Sequence, residues 1–231
     1  MPGIDPTQAA NENAAATRIF LRPIATPFPL GFFGLATASL LTAGAELSWF
    51  SAADQTLVAV VLVGFAFPLQ LLASVFGFLG RDTVAATGFG VQGATWLVVG
   101  VGMLISAPGQ TSGALGVLLC ASSAWVALCA MGASLGKLGP AVVLALTSLR
   151  FLVTGLYEFA SGAGWEHAAA IVGLVLVGAV AYVSFALEVE NLQRRTILPL
   201  LRRGRGEEAL TGDLATQTRS VHREAGVREQ L

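Results

Sequence analysis

The sequence predicts an all-α, polytopic membrane protein with six transmembrane helices. Residues 83–136 contain no Asp, Glu, Lys or Arg, and residues 23–45, 55–80 and 168–187 are equally free of charge. Hydrophobic residues make up 55% of the chain and charged ones 12%, and the mean hydropathy is +0.72. A soluble protein would need charged faces to hold that much apolar sequence in water, whereas a bilayer core of ~30 Å needs only about 20 apolar residues per crossing. Glycine is abundant, with 27 residues, which suits closely packed membrane helices.

The first span is predicted from Pro29 to Ala45, ended by Glu46, and the second from Thr56 to Leu79, ended by Arg81-Asp82. The third and fourth share the charge-free block and are split by the turn-forming cluster Ser106-Ala107-Pro108-Gly109-Gln110-Thr111-Ser112-Gly113. The fifth runs from Pro140 to about Phe159, after the turn Gly136-Lys137-Leu138-Gly139. The sixth runs from Ala168 to Leu187, ended by Glu188 and Glu190. Backbone groups in lipid must be satisfied within the segment, so the spans are helices, and they lack the strict alternation of a membrane barrel. Three regions follow: a disordered cytoplasmic N-terminus over 1–22, a transmembrane domain over 23–187, and a mostly disordered cytoplasmic tail over 188–231. The two polar ends have too few large apolar residues to offset their ordering entropy. No basic start followed by an apolar core is seen in residues 1–17, so no signal peptide is expected.

Orientation follows from the basic residues. Arg18, Arg22, Arg81, Lys137, Arg194, Arg195, Arg202, Arg203 and Arg205 all fall on one side of a six-span protein. Loops on the other side hold Glu46, Asp54, Glu158 and Glu166 and no Lys or Arg. Both termini are therefore expected in the cytoplasm, with the chain in the plasma membrane. The cluster Arg202-Arg203-Gly204-Arg205 reads as a topology signal, or as an attractor of anionic lipid.

Thr26-Pro27-Phe28-Pro29-Leu30-Gly31 leads into the first span. Two prolines one residue apart force an extended approach, and Pro29 can start the helix where its missing N–H costs nothing. At the far end stands Arg195-Thr196-Ile197-Leu198-Pro199. Together these motifs resemble the acetate uptake transporter family, the succinate–acetate permeases. That family's hallmark is Asn-Pro-Ala-Pro-Leu-Gly before the first helix, and its members tend to end in Gly-Arg-Thr-Val-Leu-Pro. Between the two signatures Gln70, Ala73, Gly80-Arg81-Asp82-Thr83, Gly93, Trp96-Leu97, Gly116-Val117 and Gly132 fall where the family has similar residues. The resemblance covers roughly residues 24–199 and implies a six-helix protomer with its own pore, assembled as a homo-hexamer, that moves small mono- or dicarboxylates. The family's Asn is Thr26 here and its Ala is Phe28. By motif spacing, the aromatic, Tyr and Leu of the family's constriction correspond to Leu35, Gln92 and Leu146. Loss of two aromatics implies a wider and more polar neck.

Several polar residues share helix faces: Gln70 with Ser74, Gln92 with Thr95, and Thr147, Arg150, Thr154 and Glu158 along the fifth span. Isolated hydroxyls in membrane helices most often bond to neighbouring helices, at ~0.6 kcal/mol on average. An amide has four hydrogen-bonding sites to satisfy in lipid, so Gln70 and Gln92 face either a pore or a partner. Arg150 lies ten residues after Pro140, which is about 15 Å into the helix. Placing Arg at such depth costs ~2.5–3.5 kcal/mol even on lenient scales. It must face a water-filled path, where with Thr147 and Thr154 it would meet an anion, or be paired with Glu158 or a polar residue of an adjacent helix or subunit.

Cys120 and Cys129, nine residues apart in one apolar run, fit neither a metal pair nor a redox motif and read as packing residues. His167 and His222 have no companion ligands, and no nucleophile elbow, phosphate loop or intramembrane acid pair is present. No metal, cofactor, nucleic-acid partner or enzymatic activity is expected. Gly132 and Gly136 suit close helix contact. The expected function is a membrane channel or transporter for acetate- or succinate-like anions, whose partners are its substrate, the lipid bilayer and copies of itself. A neutral-solute channel of the urea and amide type also suits a polar neck, although a cation at Arg150 offers a neutral solute nothing. A non-transporting scaffold or sensor would instead recruit a partner through residues 188–231.

Overall fold

The computed structural model describes residues 24–107, 109–193, 197–202 and 207. The expectations for residues 1–22, and for the tail at 194–196, 203–206 and beyond 207, lie outside the described residues. Six helices long and apolar enough to cross a membrane follow one another, which makes this a multi-pass membrane protein. α1 is Phe28–Glu46. α2 is built from Ala52–Val61, a π-helical turn Leu62–Ala66, and Phe67–Leu79. α3 is Thr83–Ile105, α4 Gly113–Ser134, α5 Leu138–Ala160 and α6 Ala163–Gln193.

Local chemistry explains most of the ends. Pro27 precedes α1 and Pro29 lies in its first turn, where a missing N–H is tolerated. α2 starts four residues before the predicted Thr56, because Ser51 and Asp54 form a reciprocal capping box. The Gly80-Arg81-Asp82-Thr83 stretch is a helix–helix corner. Arg81 takes a left-handed conformation (φ 56°), the Asp82 N–H returns to the Gly77 carbonyl at 2.9 Å, and the Asp82 carboxylate caps α3 through the Ala85 N–H at 3.0 Å. α4 is capped by Ser112.

The sixth span corrects the sequence reading. Glu188 and Glu190 do not end it, and the helix continues to Gln193. Glu190 is buried and grips Arg202 through both carboxylate oxygens. The short stretch 197–202 folds back on the bundle, so the tail is ordered at its start. The Leu138 and Gly139 N–H groups donate to the Leu201 and Leu200 carbonyls at 3.4 and 3.1 Å. The Tyr182 hydroxyl donates to the Pro199 carbonyl, and Leu200 is buried.

Each helix packs on its neighbours in the chain, and α6 closes against α1, so the six form a ring. Large apolar residues such as Phe78, Ile105, Met131 and Phe185 point outward. Small residues let backbones approach. A Cβ at Gly77 would stand 2.6 Å from the Ala86 nitrogen, where α2 meets α3. The close α4–α5 contact is at Gly155 against Gly116 and Cys120. The expected Gly132 and Gly136 do not supply it, since no atom comes within 4 Å of a Cβ at Gly136. Cys120 and Cys129 are free and half-buried.

Candidate transport pathway

The interior of the ring can be followed from the end where α1, α3 and α5 begin. Phe28, Phe32 and Phe89 form a tilted and edge-on triple, with ring centroids 5.3–5.6 Å apart. The Lys137 ammonium sits 5.4 Å from the Phe28 ring centre. A cavity of about 140 Å³ lies beside it, lined by Phe28, Asp82, Gly136, Lys137 and Pro140. Phe28 stands where the proline motif would hold a small residue, and its ring packs against the other two at this end.

One turn deeper lie the two glutamines, both fully buried. The Gln70 Nε2 donates to Gln92 Oε1 at 3.3 Å and to the Gly31 carbonyl at 3.4 Å. Among the described residues, Gln70 Oε1 and Gln92 Nε2 have no hydrogen-bond partner. Leu35, one turn after Gly31, is fully buried too. Leu146 is half-buried against the core, while its neighbour Leu144 is buried. A Cβ at Gly88 would lie 3.5 Å from the Leu144 δ-carbon and 3.9 Å from Gln92 Nε2. Leu35 and Gln92 are thus buried inside the ring, and Leu144 shares the Gly88 neighbourhood with Gln92.

Above the glutamines, Trp96 packs edge-on against Phe151 with centroids 5.3 Å apart, and the Trp96 Nε1 is buried with no partner among the described residues. These rings form part of the wall of a cavity of about 490 Å³, inside the ~300–1,000 Å³ range of ligand pockets. It sits at the opposite end, among the tips of α1, α3 and α5 and the beginnings of α2 and α4. Thr42, Glu46, Arg150, Thr154, Tyr157 and Glu158 are its polar lining on α1 and α5.

Arg150 is 1% exposed and its partner is Glu46, not Glu158. Nη2 donates to Glu46 Oε1 at 2.8 Å and to the Thr42 hydroxyl at 3.1 Å. Glu158 instead accepts the Ser112 N–H at 2.6 Å. It stands two turns beyond Arg150, roughly 12 Å along the same helix, while α1 brings Glu46 alongside. Gly173 on α6 makes room for the guanidinium, since a Cβ there would lie 3.2 Å from Nε. Thr147 and Thr154 spend their hydroxyl protons on the Val143 and Arg150 carbonyls of their own helix. Only their lone pairs remain for a solute. Thr95 reaches Ser122 across α3–α4, and Ser148 reaches Ser123 across α4–α5.

Of the motif residues, Pro27, Pro29 and Gly31 are buried, and Thr26 and Leu30 are half-buried. Gly31 gives its carbonyl to Gln70 and faces Phe89, so the motif lies against the interior of the ring. Thr42, Glu46, Trp96, Phe151 and the phenylalanine triple were not among the expected residues. The mid-depth charge at Arg150 called for a water-filled path or for a partner, Glu158 or a polar residue of an adjacent helix, and the partner it has is Glu46 of α1.

No family model matches the sequence, and no curated protein does. Among solved structures, the chain is similar to the bacterial acetate channel SatP, with a TM-score of 0.67 and 22% identity. The match covers 77% of this chain and 99% of that one. At that identity the likeness is one of fold, and the six-helix ring described here is the fold of that acetate channel.

Proposed function

We propose that this chain is a channel or transporter for small acetate-like carboxylic solutes, with the path running along the axis of its own six-helix ring. The observation that carries the reading is the interior itself. A closed ring of apolar helices would most simply be filled with leucine, yet Gln70, Gln92, Trp96 and Arg150 keep polar atoms buried there that find no partner among the described residues. Polar atoms held in lipid without partners are unfavourable, and a path that admits polar solutes gives them a use. The shared fold with an acetate channel supports the substrate class.

Leu35 and Gln92, with a leucine from α5, form the neck, and Phe28, Phe32 and Phe89 close the inner end. The end with Lys137 and Arg81 faces the cytoplasm of a plasma-membrane protein, because the basic residues gather there. Assembly as a hexamer accompanies this fold reading, with one path per protomer. In proteoliposomes, radiolabelled acetate and succinate should enter faster than through protein-free bilayers, and Gln92→Phe should slow them by narrowing the neck. Equal flux with and without protein would overturn the proposal.

A further inference from the structure

We infer that the returning stretch 197–202 is a latch on the inner end of the path. Seated on α5, it holds Phe28 in place through Lys137, and its release lets that end open. The inference rests on the transport reading above and adds a control to it.

The stretch completes the start of α5. The first N–H groups of a helix have no acceptor within it, and Lys137, which precedes α5, gives it no side-chain cap. Pro140 has no N–H to satisfy, and the Ala141 N–H already returns to the Lys137 carbonyl at 3.2 Å. That leaves Leu138 and Gly139, whose N–H groups are met by the Leu201 and Leu200 carbonyls, while Lys137 and Arg202 pair as an antiparallel bridge. Side chains seat the stretch as well. Leu200 is 2% exposed, and Gly139 makes room for it, since a Cβ there would lie 3.1 Å from a Leu200 δ-carbon. Tyr182 holds the Pro199 carbonyl, and Glu190 holds Arg202 through both carboxylate oxygens. Leu201 is left-handed (φ 49°), a conformation leucine keeps only where its surroundings impose it.

Lys137 is where the latch meets the path. Its backbone is tied to Arg202, and its ammonium lies 5.4 Å from the Phe28 ring centre, an attractive cation–π arrangement. Phe28 packs in turn on Phe32 and Phe89. The cavity of about 140 Å³ bounded by Phe28, Gly136, Lys137 and Pro140 is space for the Phe28 ring to turn into, in an interior that is otherwise close-packed. When the stretch lifts, the Leu138 and Gly139 N–H groups lose their acceptors and the first turn of α5 frays. Lys137 moves with that turn, and Phe28 loses the cation that holds it. A pull on the chain beyond Arg202 bears first on the pair with Glu190, so the tail is the handle of the latch.

Acetate flux in proteoliposomes and amide hydrogen exchange on the purified full chain test this together. Leu200→Ala removes the buried anchor. Exchange should quicken at Leu138 and Gly139, and with them at Gly31 and Phe32 at the start of α1. Flux should rise at least about three-fold, as a two-state equilibrium shifts toward its open form. A variant that was merely damaged would conduct less, so the direction of the change separates a latch from a scaffold. Gly139→Cys with Leu200→Cys, in a background with Cys120 and Cys129 changed to Ser, tests the opposite state and decides the matter should Leu200→Ala fail to fold. Oxidation of that pair should pin the stretch and lower flux at least about three-fold, and dithiothreitol should restore it. A conducting protein whose flux ignores both the anchor and the crosslink would overturn the latch and leave the transport reading standing. Quicker exchange at Leu138 and Gly139 with none at Gly31 and Phe32 would overturn it too. Coupled exchange without flux in any form would overturn the transport reading alone, since exchange needs no solute.

Discussion

Replacing the two glutamines singly and together separates a structural pair from a conducting neck. Gln92→Leu removes the acceptor that Gln70 Nε2 uses at 3.3 Å, inside a site with no exposure. A buried donor stripped of its partner costs ~1–3 kcal/mol. Gln70 retains the Gly31 carbonyl at 3.4 Å, which places the loss near the bottom of that range, about 1 kcal/mol. Gln70→Leu leaves Gln92 with both its amide oxygen and nitrogen unpartnered and should cost about 2 kcal/mol. The double leucine variant has no polar atom to orphan, so its stability should return to within about 1 kcal/mol of the natural protein, a strongly non-additive cycle. Transport should behave oppositely. An apolar ring at the neck strips a solute of water without replacement, and flux through the double variant should fall at least about ten-fold, the effect of roughly 1.4 kcal/mol on a barrier. Thermal unfolding of the four detergent-solubilised proteins reads the first quantity and proteoliposome flux the second. Additive stabilities, or undiminished flux in the double variant, would refute the reasoning.

Gly77→Ala places a methyl 2.6 Å from backbone nitrogen of Ala86, which no side-chain rotation can relieve, and should lower stability by ~1–3 kcal/mol in thermal unfolding. Arg150→Lys keeps a cation for Glu46 but loses the fork that also holds Thr42, so flux should drop while the protein still folds. Arg150→Gln strands the half-buried Glu46 carboxylate and should destabilise by about 3 kcal/mol, the low end for a broken buried pair, measured as loss of monodisperse protein. Single cysteines placed at 48–50, in a background with Cys120 and Cys129 changed to Ser, should react with an impermeant thiol reagent only from outside intact cells. Cysteines at 136–137 should react only from the cytoplasm, and reversed labelling would overturn the proposed orientation.

Much of the fold was legible because membranes impose a long, one-dimensional signal. The charge-free runs mark all six helices, and α3 ends at Ile105 and α4 starts at Gly113, on either side of the expected turn cluster. The errors fall where charge is retained inside a helix. Glu190 was read as the end of the sixth span, but a carboxylate can stay in a helix when a cation from elsewhere meets it, and Arg202 does so. Arg150 announced a partner or a water path, and the carboxylate named for it was Glu158 on its own helix, since Glu46 is distant in sequence and neighbouring helices are invisible to periodicity. The inward faces of Gln70 and Gln92 followed from their polarity, while their mutual bond depends on the rotation of α2 against α3. Leu146 was placed by motif spacing, which fixes position along a helix to a residue or two and leaves Leu144 as the better-buried neighbour.

The π turn in α2 absorbs one residue without rotating the rest of the helix. There the Phe67 N–H reaches the Leu62 carbonyl, five residues back, so one residue more than an α-helix needs is looped into the turn. In an uninterrupted α-helix each residue advances the chain by about 100° around the axis (3.6 residues per turn), and a surplus residue would turn everything after it by that angle. The wide turn takes up that surplus, and Gln70, Ser74 and Gly77 stay buried. Deleting Gly64, whose Cβ position meets open space, should therefore restore ordinary α-helix through this stretch and leave those three residues inward. A deletion within Phe67–Leu79 has no such slack to draw on and would rotate whatever follows it.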